Sequence, residues 1–600
     1  MHDRVHLSIV RHHRGRIGSP ARIGTVPYTI SVMNVRLALP ASARLPGLKR
    51  SLARFAPQRQ PSDTPGRRDC TAAPRPLVCR HPRARAAPRP SPRSAKRAAG
   101  PDERPRAASQ RTAPPVTRPN ILFLSIEDLN DWIAPLGGHP DTITPNLTRL
   151  ARHSVVFERA YAAAPACSPS RAATLYGRNP WETGIYGNAH RPNHAFPRGR
   201  GLSLVGGLQS AGYQTFGAGK VFHVLKGQFD HDEWTEYHGQ EPDSFAPISR
   251  SQKSGALGSN SDFGPAPDDT PQYDELNTDW ITRRMTGGAE GQFWALGLYR
   301  PHLPFIVPKR FFDQLPAVVA DPPGLGANGF APDNAAPLAG LPRPAMSFVR
   351  QNAGLGKALH AHGEYKAFLK AYLASISYAD ALLGRVLDRM DEQGLWGNTI
   401  VVLWSDHGWQ LGEKLAFRKF TLWERALRVP LFIGGPGIAP GRAGDPVSLT
   451  DIAPTLFSLA GLPAPGRFTG QDMAPLLRGE AQALRGHALS VWGHDLMSDR
   501  PKLAFSARSR DFRFIRYWTG HEELYDHRAD PFEHANLLQA PDDGALAAVV
   551  RAHRAMLPVA PCPPVNTAPP RRRWQAARKM SPAQSTTTSS GGKPLKPTDE

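Results

Sequence analysis

The chain has 600 residues and a formal net charge of +23. That charge is unevenly held. Residues 1–118 carry 25 Lys and Arg against 5 Asp and Glu, residues 571–600 carry 7 against 2, and the 119–570 body carries 42 against 44. A basic nucleic-acid-binding core is thereby excluded, and any basic partner surface belongs to the tails.

Residues 1–118 are rich in Arg, Pro, Ala and Ser and show no helical or strand period. Such a segment buries too little apolar surface to offset its ordering entropy, so disorder is expected. It reads as a non-structural extension, a transit peptide or a nucleic-acid arm. No apolar stretch followed by a small-residue cleavage site is legible, which favours the cytoplasm over export. Ordered sequence begins at Asn120. Ile121–Ile126 is a short apolar run, as in a strand buried on both faces. Pro145–Ser154 has helical spacing, with Thr144 as N-cap and Pro145 at the first helical position. Leu202–Ala211 reads as a helix ended by Gly212. Tyr213–Ala218 and Phe293–Leu298 read as strands. Ala367–Met390 is a long amphipathic helix ended by Gly394 and Gly397, and Thr399–Trp404 is a strand.

Strands alternating with helices predict an α/β fold with a mainly parallel sheet. After about residue 440 the pattern changes. Asp451–Leu459 reads as a helix and Phe512–Trp518 as part of a small C-terminal subdomain. The expected organisation is a disordered basic Arg/Pro-rich extension (1–118), a catalytic domain (119–440), a C-terminal subdomain (441–560) and a disordered tail (561–600). Four cysteines are too few for a disulfide framework, and no apolar run of ~18 residues predicts a membrane span.

Four strands run into polar residues: Glu127–Asp128, Gly219–Lys220 with His223, Arg300–Pro301–His302, and Ser405–Asp406–His407–Gly408. In open α/β sheets ligands bind outside the carboxyl ends of strands. Two carboxylate-bearing ends suit a hard divalent cation, and Lys and His at the others suit an anion beside it.

The most specific segment is Cys167-Ser168-Pro169-Ser170-Arg171, followed by Leu175-Tyr176-Gly177-Arg178. With RPNILFLSIEDLND, GKVFH, RPHLPF, SDHGWQLGEK, RKFTLWERALRVPLF and EELYDHRADPFEHANL in order, the chain resembles the type I sulfatases of the alkaline phosphatase superfamily. It looks most like iduronate-2-sulfatase-like enzymes, over roughly residues 118–540. The resemblance implies an alkaline-phosphatase-like sandwich, with a large mainly parallel sheet flanked by helices and a short antiparallel sheet in the C-terminal subdomain. It also implies hydrolysis of an alkyl or carbohydrate sulfate ester.

Cys167 would be oxidised to formylglycine by a formylglycine-generating enzyme. One hydroxyl of the hydrated aldehyde would attack sulfur, and the other would expel sulfate. The resemblance implies Glu127, Asp128, Asp406, His407 and the modified Cys167 as ligands of a divalent metal, Ca2+ by family habit. Arg171 would hold the formylglycine, and Lys220 and Lys419 would donate to sulfate oxygens. His223 is a candidate base, and His302 a candidate donor or acid. Lys414 and Arg418 are alternatives to Lys419, as Asp131 is to Glu127. The family more often has Asp at the position of Glu127, Thr at that of Tyr176 and Asn at that of His407. A His among carboxylates also admits Mn2+. Expected partners are a sulfated small molecule or saccharide and the modifying enzyme, with no nucleic acid for the folded body. The same scaffold admits a phosphomonoester, phosphodiester or phosphonate hydrolase, or a catalytically silent binding protein if Cys167 stays unmodified.

Overall fold

The computed structural model describes residues 118–190, 192–196, 203–223, 231–239, 262–325, 329–334, 336–481, 484–539 and 544–565. The expectations for the basic head up to residue 117, and for the tail from residue 566, fall outside these residues.

The central sheet has eight strands: β1 Asn120–Ile126, β2 Val155–Phe157, β3 Gln214–Gly219, β4 Glu236–His238, β5 Gln292–Leu298, β6 Thr399–Ser405, β7 Leu431–Gly434 and β8 Gly441–Ala443. Their order is β8-β2-β7-β6-β1-β5-β3-β4. Only β7 is antiparallel to its neighbours, β2 and β6. β1 lies between β5 and β6, with Ile121 opposite both Phe293 and Ile400. Every residue of β1 is buried, as its unbroken apolar run requires.

Alternation along β1 feeds two cores. Leu122, Leu124 and Ile126 pack on one face with Phe368, Tyr372, Ile376, Leu383 and Val386 of the helix Tyr365–Glu392. Ile121 and Phe123 pack on the other with Leu175 of the helix Cys167–Tyr176 and Leu456 of the helix Ile452–Leu459. Each fully buried aliphatic side chain here contributes about 1.5–3 kcal/mol relative to exposure. This is the α/β fold with a mainly parallel sheet expected from the alternation, and the helix-flanked sandwich implied by the resemblance. β8 lies beyond residue 440, so the sheet draws on both sides of the expected domain boundary.

The helix Pro145–Ala151 has Pro145 at its start, but Thr144 does not cap it. The Thr144 hydroxyl instead accepts from the Ala134 amide at 3.0 Å. The cap comes from another helix: Asp380 accepts from the amides of Asn146 at 3.0 Å and Leu147 at 2.7 Å. Local sequence cannot show a cap borrowed from more than two hundred residues away.

C-terminally, His487–His494, Lys502–Ser509, Phe512–Arg516 and Glu522–Asp526 form a four-stranded antiparallel sheet in chain order. It is tied to the body by buried charge. Arg513 pairs with Glu424 and Glu533, and His527 lies 3.0 Å from Glu533.

Candidate active site

The carboxyl ends of β1, β3, β5 and β6 lie side by side, and their following turns carry most of the polar cluster. Two glycines permit the approach of β3 to β5. Gly219 has φ +71°, and a Cβ on Gly297 would collide with the Lys220 backbone. The Lys220 amide donates to the Gly297 carbonyl at 2.8 Å. This crossing delivers the Lys220 ammonium onto Glu127 Oε1.

Cys167 begins the helix Cys167–Tyr176, all of which is buried. The Ser168 amide donates to Asn188 Oδ1 at 2.9 Å, and the Ser170 hydroxyl to the Asp406 carbonyl at 2.5 Å. Arg171 lies one turn further, only 1% exposed. Its Nε donates to Asp406 Oδ2 at 3.0 Å, and its Nη1 to the carbonyls of Lys220 at 2.5 Å and Val221 at 2.9 Å. One guanidinium thus links the cysteine helix to the ends of β3 and β6.

Lys419 Nζ lies 2.9 Å from Cys167 Sγ and 2.8 Å from Asp128 Oδ1. His407 Nε2 lies 3.4 Å from both of those atoms and 3.6 Å from Asp406 Oδ2. His407 Nδ1 meets the Gly408 carbonyl at 3.1 Å. A proton on Nδ1 satisfies that bond and leaves the Nε2 lone pair facing the cluster. His302 Nε2 lies 3.7 Å from Asp128 Oδ2 and 3.9 Å from Glu127 Oε1, while its Nδ1 meets the Leu303 carbonyl at 2.6 Å.

Ligand atoms of Glu127, Asp128, Cys167 and His302 lie within 4.8 Å of one another, as do those of Cys167, Asp406 and His407. The expected ligands Glu127, Asp128, Asp406 and His407 therefore meet around Cys167, with Arg171, Lys220, His302 and Lys419 beside them. His223 belongs to neither group; it is half-buried, three residues beyond Lys220. Asp131 pairs with Arg425 and Arg428, which takes it out of competition with Glu127. The Lys414 ammonium faces the rings of Trp423 and Tyr525, leaving Lys419 as the lysine of this segment at the cysteine. Sequence reasoning missed Ser170 and Tyr372, whose hydroxyls hold the backbone of the site.

Burial and charge compete at each group. Burial pushes the Cys167 thiol up to about 12, although the Lys419 charge opposes this. Burial also drives Asp128 up to about 7, with Lys419 opposing and Glu127 and Asp406 assisting. For Asp406 burial acts upward too, but Arg171 and His407 outweigh it and hold the carboxyl at about 2. Glu127 falls well below its ordinary range because Lys220, His302, Arg171 and Lys419 together overcome burial. Burial lowers His407 to about 3 and His302 well below the usual imidazole range, so both are neutral at pH 7.

Glu127 Oε2 and Asp128 Oδ2 are buried and make no hydrogen bond among the described residues. Buried carboxylate oxygens are costly unless paired or metal-bound. Free hard oxygens beside a neutral imidazole therefore fit a divalent cation.

The Sulfatase family model matches residues 119–462, and that of the N-sulphoglucosamine sulphohydrolase C-terminal region matches 412–556. A sulfatase of Formosa agariphila is 33% identical over 444 residues, covering 70% of this chain and 83% of the relative. The human iduronate 2-sulfatase is 27% identical, covering 71% and 92%. Among solved structures, one in complex with its substrate D-glucosamine-2-N,6-O-disulfate superposes with a TM-score of 0.56 at 22% identity, covering 73% of this chain and 97% of that one. A phosphonate monoester hydrolase from Silicibacter pomeroyi superposes with a TM-score of 0.57 at 21% identity, covering 73% and 94%. These two show the fold alone. The chain belongs to the sulfatase family, hydrolases of sulfate esters, and has its alkaline-phosphatase-like fold.

Proposed function

We propose that this sulfatase releases sulfate from a carbohydrate or alkyl sulfate ester, with Cys167 as the nucleophilic position once a formylglycine-generating enzyme has converted it. The supporting observation is the convergence on Cys167 of three carboxylates (Glu127, Asp128, Asp406) and three cations (Arg171, Lys220, Lys419) in a buried cluster. With all three carboxylates ionised, as ligation of a cation would require, these charges balance. A divalent ion and a sulfate ester monoanion together add one positive charge, which ionisation of a nucleophilic hydroxyl cancels. Relatives include a choline-sulfatase of Rhizobium meliloti and an N-acetylglucosamine-6-O-sulfatase of Bacteroides thetaiotaomicron, an alkyl and a sugar sulfatase by name.

Glu127, Asp128, Asp406 and His407 would hold the metal, and the oxygen-rich set favours Ca2+. When bound, the ion would polarise a sulfate oxygen and lower the pKa of a nearby hydroxyl. The hydrated aldehyde would supply two hydroxyls, one to attack sulfur and one to release sulfate.

The chain's own residues do the rest. Arg171 fixes the cysteine helix against Asp406 and so orients residue 167. Lys419 places a permanent charge at residue 167, where it stabilises negative charge that develops there. Lys220 presents a second ammonium from the β3 side toward sulfate oxygens. His302 Nδ1 donates to the Leu303 carbonyl, so the neutral ring turns an Nε2 lone pair toward Asp128 and Glu127, and it would donate to the leaving alcohol only after taking up a proton at Nε2. His223 would accept the proton of the second hydroxyl. Among the described residues no helix is long and apolar enough to cross a membrane.

The test combines a mass measurement with a rate ratio. The tryptic peptide containing Cys167, from protein made in its native host, is expected to show the mass loss of conversion from thiol to aldehyde. The same batch should turn over aryl sulfate faster than aryl phosphate. Faster phosphate turnover would assign the site to phosphoryl chemistry, and an unmodified thiol with no sulfate release would make the protein a binding module.

A further inference from the structure

The Glu127–Asp128 turn adopts a backbone that its sequence does not favour. Asp128 has φ +56°, in the left-handed region where a non-glycine residue needs external support. Three side chains supply it. The Asp128 amide donates to Asp406 Oδ1 at 3.1 Å, and the Leu129 amide to the Ser405 hydroxyl at 3.1 Å. Both partners lie at the end of β6, beside the cluster.

The third support comes from the helix Tyr365–Glu392. The Tyr372 hydroxyl donates to the Asp128 carbonyl at 2.8 Å and accepts from the Asn130 amide at 3.1 Å. It therefore closes a bridge across Leu129, directly after the left-handed residue, satisfying one buried acceptor and one buried donor. The ring itself is held between Trp132, at 5.8 Å, and Phe305, at 5.3 Å between centroids. The Asn130 side-chain amide donates to the Trp409 carbonyl at 3.0 Å, which ties the same turn to the loop after His407. Among the described residues the Tyr372 hydroxyl bonds backbone and makes no hydrogen bond to Cys167 or to a carboxylate oxygen, so its hold on the turn passes through the backbone of residue 128.

We propose that Tyr372, acting with Asn130, is a positioning residue for the metal-binding carboxylate of Asp128: the Tyr372 bonds to the 128–130 backbone and the Asn130 side-chain bond to the Trp409 carbonyl fix the left-handed turn that aims that carboxylate into the cluster. The inference rests on the reading of Asp128 as a metal ligand.

Calorimetric titration of Ca2+ and Mg2+ into the chelator-treated full-length protein tests it. Y372F removes one oxygen and leaves the ring in place. Tyr378, buried on the same helix with a hydroxyl that makes no hydrogen bond among the described residues, supplies the control Y378F. Loss of a group that orients a ligand typically weakens metal binding about 10- to 100-fold. The expected result is weakening of at least that lower bound in Y372F, wild-type affinity in Y378F, and recovery of Y372F activity at raised metal. Wild-type affinity in folded Y372F, or equal loss in Y378F, overturns the proposal. If Y372F does not fold, N130A is subject to the same two outcomes. D128N runs in parallel. Undiminished affinity there defeats the assignment of Asp128 itself, whereas a loss in D128N without one in Y372F defeats only the role of Tyr372.

Discussion

The Lys419 ammonium lies 2.9 Å from the Cys167 sulfur. The contact is fully buried, and the same nitrogen bonds Asp128 Oδ1. Burial would lower the Lys419 pKa, but Asp128, Cys167, Glu127 and Asp406 overcome it and raise it, so the charge is permanent across the working range. K419M keeps much of the length and loses the charge. Removing one preorganised donor from a transition state typically costs about 100- to 1,000-fold in kcat. K419M is expected in that range on aryl sulfate with KM changed far less. A variant with near-wild-type kcat would remove Lys419 from the chemistry.

Arg171 is a structural hub as well as a site residue. It joins Asp406 to the carbonyls of Lys220 and Val221 within a fully buried region. R171A would leave Asp406 buried without its principal counter-charge. Breaking a buried pair by deleting one partner costs about 3–5 kcal/mol. Urea unfolding should report a loss of that size, together with loss of activity. R171K, which restores charge without the planar fork, should recover part of the stability and little of the rate. Equal unfolding midpoints for wild type and R171A would contradict the hub assignment.

The contrast between these two residues shows where sequence was informative. Asp128, Asp406 and Lys220 were legible because strand ends in a parallel sheet share one edge, whereas Cys167 and Arg171 were nominated only by the resemblance of their motif to the family. The resemblance named Lys419, but what parts it from Lys414 in space is the backbone path between them. Lys414, Leu415, Arg418 and Phe420 all have positive φ, and no local period describes such a path. Tyr372 was legible only as a core residue of an amphipathic helix. Its hydroxyl partners lie 242 and 244 positions away, so no spacing rule reaches them. The Thr144 cap failed for the same reason, since Asp380 arrives from outside the local window.

Removal of metal should be visible without any substrate. A ligand that binds only the folded state stabilises it by about 2.7 kcal/mol when its free concentration is 100 times Kd. Chelator-treated protein is therefore expected to melt at a lower temperature than protein in millimolar Ca2+, with the midpoint rising steadily as metal is titrated. The gain should vanish in D406N, which alters a proposed ligand. A midpoint indifferent to chelator and to added Ca2+, Mg2+ or Mn2+ would count against a cation at Glu127, Asp128, Asp406 and His407.

Asp380 gives the stability a pH dependence remote from the reacting groups. Burial pushes its carboxyl up to about 6 from an ordinary value of 3.8, although the amides of Asn146 and Leu147 pull the other way. The folded chain therefore binds this proton more tightly than the unfolded chain does. From pH about 4 to about 6 the unfolded state has lost a proton that the folded state retains, so this residue's contribution falls as pH rises and levels off above about 6. A shift of roughly two units corresponds to about 3 kcal/mol across that window. D380N is neutral throughout and keeps one acceptor for the first turn of Pro145–Ala151. Its stability relative to wild type should therefore rise between pH 4 and pH 7, whatever fixed cost the lost acceptor imposes. Urea midpoints measured at half-unit intervals read the difference directly, and parallel curves for the two proteins would show that Asp380 is not protonated in the folded state at pH 5.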